Sequence, residues 1–177
     1  DLIKILGEGQ WVAIDDTDNM VINFYYPQLF EIDYLRDKVR LEIGPLAEWV
    51  PSHDRKIQSF VSETFPELFN KTSANILTID AERTFWEKLT ILHKMAYLPE
   101  SKNIPSRYAR HLYDVYCMSN SPIKEQAYVR KELLEKDIKF KQKFYYSKSA
   151  YYELATLKDI RLIPAKHIMS AVKKDYD

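Results

Sequence analysis

The 177-residue chain is 46% apolar and 29% charged, which excludes a disordered polypeptide and fits one ordinary domain or two small ones. Its 26 basic and 26 acidic residues cancel, so net charge gives no argument for a nucleic-acid or membrane partner. Cys117 is the only cysteine, which excludes internal disulfides and Cys-rich zinc sites, and the lack of a long apolar run or a signal-peptide pattern makes a cytoplasmic location the expectation. The chain opens on Asp1, runs straight into an apolar stretch and reads as a piece of a longer polypeptide.

Gly7, Gly9 and Gly44 are the only glycines. Phosphate-cradling loops need several, because the backbone must approach the phosphates closely, so neither a Walker A loop nor a dinucleotide fingerprint is present. Trp11–Ile14 and Val21–Tyr26 flank the turn-rich Asp15-Asp16-Thr17-Asp18-Asn19 and predict a hairpin. Within Tyr34–Ile43, Val39, Leu41 and Ile43 alternate with Lys38, Arg40 and Glu42, which predicts a strand ended by Gly44-Pro45 with Glu42 opposite the apolar face. A short helix over 57–69, broken near Pro66, and a strand over Asn75–Ile79 follow.

Beyond Asp80 the texture becomes helical. Asp80 suits the N-cap of a helix over about 81–97 with Glu82 in its first turn. Pro99 and Pro105 bracket a loop, a second helix is predicted over about 106–118, and a long third one runs from Pro122 to near Phe144. Pro164 opens a final helix over 165–174. Strands followed by helices give an α+β class, divided into a strand-rich part, 1–80, and a helical part, 81–177.

The zero net charge hides a dipole. Residues 1–54 hold 11 acids and 4 bases, and 55–177 hold 22 bases and 15 acids. The densest basic stretch is 124–148, where Lys136, Lys139, Lys141 and Lys143 interleave with Phe140, Phe144, Tyr145 and Tyr146. It reads either as a solvated helix with an aromatic core face or as a phosphate-backbone surface with stacking side chains.

On the first helix, Phe85, Leu89, Leu92 and Ala96 form a stripe, and Lys88 lies at its edge, about 60° from Phe85. On the second, Tyr108, Leu112 and Val115 form the apolar stripe beside Arg107, His111 and Asp114 at i, i+4 and i+7. Packing the two stripes together would bring Lys88 and this polar row to one crevice. Periodicity leaves open a surface Lys88, an Asp114 paired with Arg107 or Arg110, and His111 as a boundary residue. His53, His93, His111 and His167 show no metal-ligand spacing.

ERTFWEKLTILHK at 82–94 and RYARHLYDVY at 107–116 resemble the AbiEii/AbiGii family of nucleotidyltransferase-like toxins. Phe140–Tyr146 with Leu162-Ile163-Pro164, and the terminal Asp175-Tyr176, are similar to the family's C-terminal region. The resemblance implies a polymerase-β-like nucleotidyltransferase mixed sheet with a helical C-terminal lobe. It also implies toxins of toxin–antitoxin or phage-defence systems that use Mg²⁺ and an NTP, with tRNA-like RNA acceptors and a cognate antitoxin encoded nearby that acts without direct contact.

By the same resemblance Lys88 contacts the triphosphate together with Arg107 and His111. Asp114 orients Lys88 or serves as base, and Glu42 stands where a third metal-supporting carboxylate would come. Lys136, Lys139, Lys141 and Lys143 are the expected RNA contacts. The family's Gly-Ser turn and its metal-binding carboxylate pair are not found. Asp16-Thr17-Asp18 mimics the pair but sits in a turn, so the expectation is that these motifs lie upstream and that the given segment alone is inactive. Glu42 reads equally as an exposed strand residue paired with Arg40 or Lys38. Against the enzyme stand a non-catalytic nucleic-acid- or antitoxin-binding module with a degenerate site, and a structural helical scaffold.

Overall fold

A computed structural model describes residues 11–27, 37–44 and 50–176. Gly7, Gly9 and the expected strand start at Tyr34 lie outside them. The chain forms two compact units, Asp1–Ala47 and Glu48–Asp177. The helical unit therefore begins well ahead of the boundary placed at residue 80, and takes in a hairpin.

In the first unit, β1 (Val12–Ile14), β2 (Val21–Tyr25) and β3 (Lys38–Glu42) form an antiparallel sheet in that order. The β1–β2 turn is closed by its own acids. The Asp15 carboxylate accepts from the Thr17 N–H at 3.1 Å and from the Asn23 amide at 3.0 Å, and Asp18 accepts from the Met20 N–H at 2.9 Å. These bonds hold the Asp15 carboxyl well below its ordinary range, with the Asn23 bond as the main cause. The β3 alternation holds, but Val39, Leu41 and Ile43 are exposed.

The second unit opens with β4 (Ser52–Gln58), paired antiparallel with β5 (Ser73–Ile79) from Ser52↔Ile79 to Gln58↔Ser73. Helix α1 (Phe60–Thr64) connects them, with Ser59 as its N-cap. β4 is missing from the sequence reading because Ile57 is its only large apolar residue, leaving no period-two signal. Among the described residues both sheets are antiparallel, and strands with helices give the α+β class.

Helix α2 (Ala81–Ala96) contains neither Gly nor Pro. It is the axis of the unit, with α3 (Arg110–Ser119), α4 (Ile123–Val129), α5 (Glu132–Phe144) and α6 (Met169–Tyr176) around it. Phe85, Trp86 and Leu89 pack on Ala127, Leu133 and Leu134. Leu92 and Met95 pack on Ala109, Ile168 and Val172. Each large side chain so buried contributes about 1.5–3 kcal/mol, and the Trp86 indole donates to the Ala127 carbonyl at 3.2 Å. The expected single helix from Pro122 to Phe144 is two helices broken at Arg130-Lys131. No Pro or Gly marks the break. Arg130 instead turns out of the helix and its guanidinium meets the Asp80 carboxylate at 2.9 Å.

The polar back of α2 is buried too. Arg83, Thr90 and His93 are fully buried, and so is Asp137 on α5. Asp137 accepts from Arg83 at 3.3 Å and from the Thr90 hydroxyl at 2.5 Å, and the Lys141 ammonium lies 3.2 Å from it. Arg83 also bonds Glu87 at 2.9 Å and Lys141 donates to the Glu87 carbonyl at 3.1 Å. Paired charges of this kind are tolerated inside only because every member has a partner.

Candidate functional site

Lys88 leaves α2 beside the apolar stripe and meets two side chains of α3. Its ammonium donates to Asp114 Oδ2 at 2.7 Å and to His111 Nδ1 at 3.1 Å. An ammonium has no lone pair, so His111 Nδ1 must accept, and the imidazole is neutral with its proton on Nε2. Burial, reinforced by the Lys88 charge, lowers the His111 pKa to about 4. The Tyr108 ring meets the imidazole edge-on at 5.1 Å, and its hydroxyl donates to the Ile91 carbonyl at 2.9 Å, tying the start of α3 to α2. Lys88 keeps a third N–H, and its side chain is 22% exposed, so a phosphate oxygen can reach it.

The convergence of Lys88, His111 and Asp114 thus follows from the helical periodicity. Arg107 lies outside helix α3. Helix α3 begins at Arg110, not 106, and Arg107 stands before it with φ 61°, so the i, i+4, i+7 row that included Arg107 is not a helical row. What holds this segment is Asp175. Its carboxylate accepts the N–H groups of Arg107 at 2.6 Å and Ala109 at 2.7 Å, supplying the cap that α3 lacks from its own sequence. These bonds, the one from Ala109 first, lower the Asp175 pKa. The terminal Asp-Tyr was visible as a motif, but the role of Asp175 was not, because its targets lie 66 and 68 residues away.

Of the four lysines expected to meet RNA, Lys136, Lys139 and Lys143 are exposed on α5. Lys141 is not. Its ammonium is turned inward onto Asp137, Thr90 and the Glu87 carbonyl, and burial lowers its pKa. Helix α5 presents Lys141 on the same side as Asp137, one turn earlier, so it belongs to the core network rather than to the surface row. Glu42 lies in the first unit, on the exposed end of β3, with its carboxylate 3.7 Å from the Arg40 guanidinium. Asp16 and Asp18 lie in the connection between β1 and β2. Among the described residues, no group of three His, Cys, Asp or Glu side chains is placed to hold a metal ion.

Sequence reasoning also passed over His93 and Asp80. The His93 Nε2–H donates to the Tyr151 carbonyl at 3.0 Å, and its Nδ1 accepts the Arg161 N–H at 3.0 Å. Its ring is fully buried, and burial lowers its pKa. Asp80 is the N-cap residue of α2 as expected, but its carboxylate, rather than capping an N–H, takes His53 at 2.6 Å and Arg130 at 2.9 Å.

The two histidines make stability depend on pH in a defined direction. Both stay neutral in the folded state below the usual histidine value of 6.5, so the unfolded chain binds more protons there. Stability is therefore expected to fall as the pH drops from about 6.5 towards 4. The depressed Asp80 and Asp175 carboxyls lose their contributions only below their ordinary 3.8. Urea unfolding at pH 7.5 and pH 5.0 checks this: the midpoint is lower at pH 5.0, and His111→Gln narrows the difference. Equal midpoints for the parent chain contradict it.

An ammonium clamped between a carboxylate and a neutral imidazole, on the edge of a helical lobe, is an arrangement suited to contacting a polyphosphate. The chain matches the family described as nucleotidyl transferase AbiEii toxin, type IV TA system, over residues 3–177, and it belongs to that family. No curated protein and no solved structure gave a significant match. Among the described residues, no helix is long and apolar enough to cross a membrane.

Proposed function

We propose that the protein transfers a nucleotide from an NTP to an RNA acceptor, with tRNA-like ends as the favoured class, and acts as a toxin in phage defence. The reading is supported by the family, whose description is that of nucleotidyltransferase toxins in toxin–antitoxin systems. The observation that carries it is the Lys88–Asp114 contact at 2.7 Å, which brings the two family motifs together. In this reading the fold is polymerase-β-like. Lys88 holds a triphosphate oxygen as a point charge, and Asp114 orients Lys88 or takes the acceptor hydroxyl's proton. His111 keeps the ammonium in place through its neutral Nδ1.

Magnesium enters from the family reading alone. Glu42 is engaged with Arg40, and no three-ligand group exists among the described residues, so they do not form its site and no step is assigned to a metal here. A second reading is a module that binds nucleic acid or antitoxin without catalysis. Incubating the intact toxin with labelled NTPs and total RNA separates the two. Label in RNA supports the enzyme, and RNA retention without label supports the module. The family also implies a cognate antitoxin, and the proposal is that it counters the toxin without touching it.

The acceptor surface is assigned to Lys136, Lys139 and Lys143 on α5. Each phosphate they neutralise releases counterions, so the triple exchange to Glu is expected to weaken RNA binding and flatten its salt dependence by about 2–3 in log–log slope. Filter binding over a salt series measures both. Lys141 must be left intact in this experiment, because its reversal disrupts the core. An unchanged slope removes α5 from the acceptor surface.

A further inference from the structure

The C-terminal half of the helical unit carries a cavity that the Lys88 site does not use. It has a volume of about 370 Å³ and is lined by Tyr146, Tyr151 and Tyr152, with Gln142, Lys148 and Glu153 at its polar positions. Volumes of this size suit small planar ligands. Its walls are unequal. Tyr146 is 75% exposed, so its ring is open to a ligand. Tyr151 is held rigidly: its backbone sits at φ 45°, ψ 45°, a left-handed conformation that few non-glycine residues adopt. The buried His93 fixes that conformation through the Tyr151 carbonyl. The Tyr151 ring packs on Tyr97 at 4.9 Å, and Tyr97 is covered in turn by the Arg161 guanidinium at 4.8 Å.

A strained residue whose ring is braced from behind and which faces a cavity is a pre-formed aromatic platform. The charges around it suit an anionic backbone. Lys148 lines the cavity, and Lys139 lies one turn before Gln142 on the same face of α5. Glu153 and Gln142 offer acceptors and donors to the edge of a ring, as carboxylates and amides do to exocyclic amines.

We propose that this cavity takes a nucleobase of single-stranded RNA, stacked on Tyr146 against the braced Tyr151, while Lys139 and Lys148 hold its flanking phosphates. The inference rests on the RNA-acceptor reading and adds to it a stacking site that anchors the acceptor away from Lys88. Stacking on an aromatic side chain is tolerant of sequence and independent of salt, whereas phosphate contacts are steeply salt-dependent, so the two contributions can be read separately.

The test uses the full chain with a cytidine RNA hexamer, an abasic hexamer of the same length and cytidine monophosphate. The cytidine hexamer binds more tightly than the abasic one. Tyr146→Ala weakens it by at least about fivefold without altering the salt slope, and leaves abasic binding unchanged. Tyr146→Trp restores the affinity, and Lys148→Glu changes the slope. Upfield shifts of the cytosine H5 and H6 resonances accompany binding and vanish in Tyr146→Ala. Since Tyr146 is exposed, its replacement leaves the fold intact, which an unchanged urea midpoint confirms. Equal binding of the two hexamers, or an unaffected Tyr146→Ala, overturns the site. Monophosphate binding as tight as the hexamer overturns the RNA assignment. If RNA receives label from an NTP while Tyr146→Ala binds normally, the stacking site falls and the transferase reading stands. If Tyr146-dependent binding occurs and the intact toxin transfers no label, the stacking site stands and the transferase reading falls.

Discussion

Lys88→Ala is expected to lower nucleotide transfer by the intact toxin about 10²–10³-fold, the loss seen when one pre-organised charge-stabilising donor is removed, and to abolish toxicity in cells. The change removes an ammonium that is already oriented by Asp114 at 2.7 Å and His111 at 3.1 Å, so no reorganisation is needed when the phosphoryl charge develops. Stability should hardly move. The pair is part-exposed, with Lys88 at 22% and Asp114 at 37%, and such pairs are worth about 0–1 kcal/mol. Lys88→Arg should not restore activity, because a planar guanidinium cannot donate to Oδ2 and Nδ1 from the same point. Growth of cells expressing the variant, with a parallel urea midpoint, decides the matter. A variant as toxic as the parent removes Lys88 from the chemistry and favours the binding module.

The largest stability loss is expected at Asp137. Asp137→Ala leaves the fully buried Arg83 and the largely buried Lys141 without their shared carboxylate. Removing one partner of a buried ion pair costs about 3–5 kcal/mol, against a total of about 5–15 kcal/mol for a domain. The cost lies in the stranded charges rather than in the lost attraction. Accordingly, Asp137→Leu combined with Arg83→Met and Lys141→Met should be markedly less destabilised than Asp137→Ala alone. Denaturant melts of the two variants make the comparison. A loss below 1 kcal/mol in Asp137→Ala would show that Arg83 and Lys141 find other partners or water.

The same network explains why the basic stretch on α5 was misread. A lysine row at 136, 139, 141 and 143 looks uniform in sequence, yet helical rotation sends Lys141 to the side of Asp137 and leaves the other three outside. The Asp137–Lys141 pair is one helical turn apart, but its burial is decided at a distance. The Glu87 carbonyl that receives Lys141 is 54 residues away. Arg107 is the mirror case. Its spacing to His111 and Asp114 is helical, but a backbone at φ 61° held by Asp175 places it before the helix.

Short-range pattern alone determined the β1–β2 hairpin, the helices α2 and α3, and the edge positions that bring Lys88 to His111 and Asp114. Each depends on a period of 2 or 3.6 residues or on turn chemistry within a few positions, and these act before any long-range contact forms. Tertiary structure decided the polar strand β4, the break between α4 and α5, the cap that Asp175 gives α3, and the inward turn of Lys141. In each case the deciding partner is distant in sequence: Ser73–Ile79 for β4, Asp80 for the break at Arg130, Arg107 and Ala109 for Asp175, Glu87 for Lys141. Periodicity tells which side chains share a face. Whether a polar one meets water or a buried partner depends on which element packs there, and buried polar groups must be satisfied wherever that partner lies.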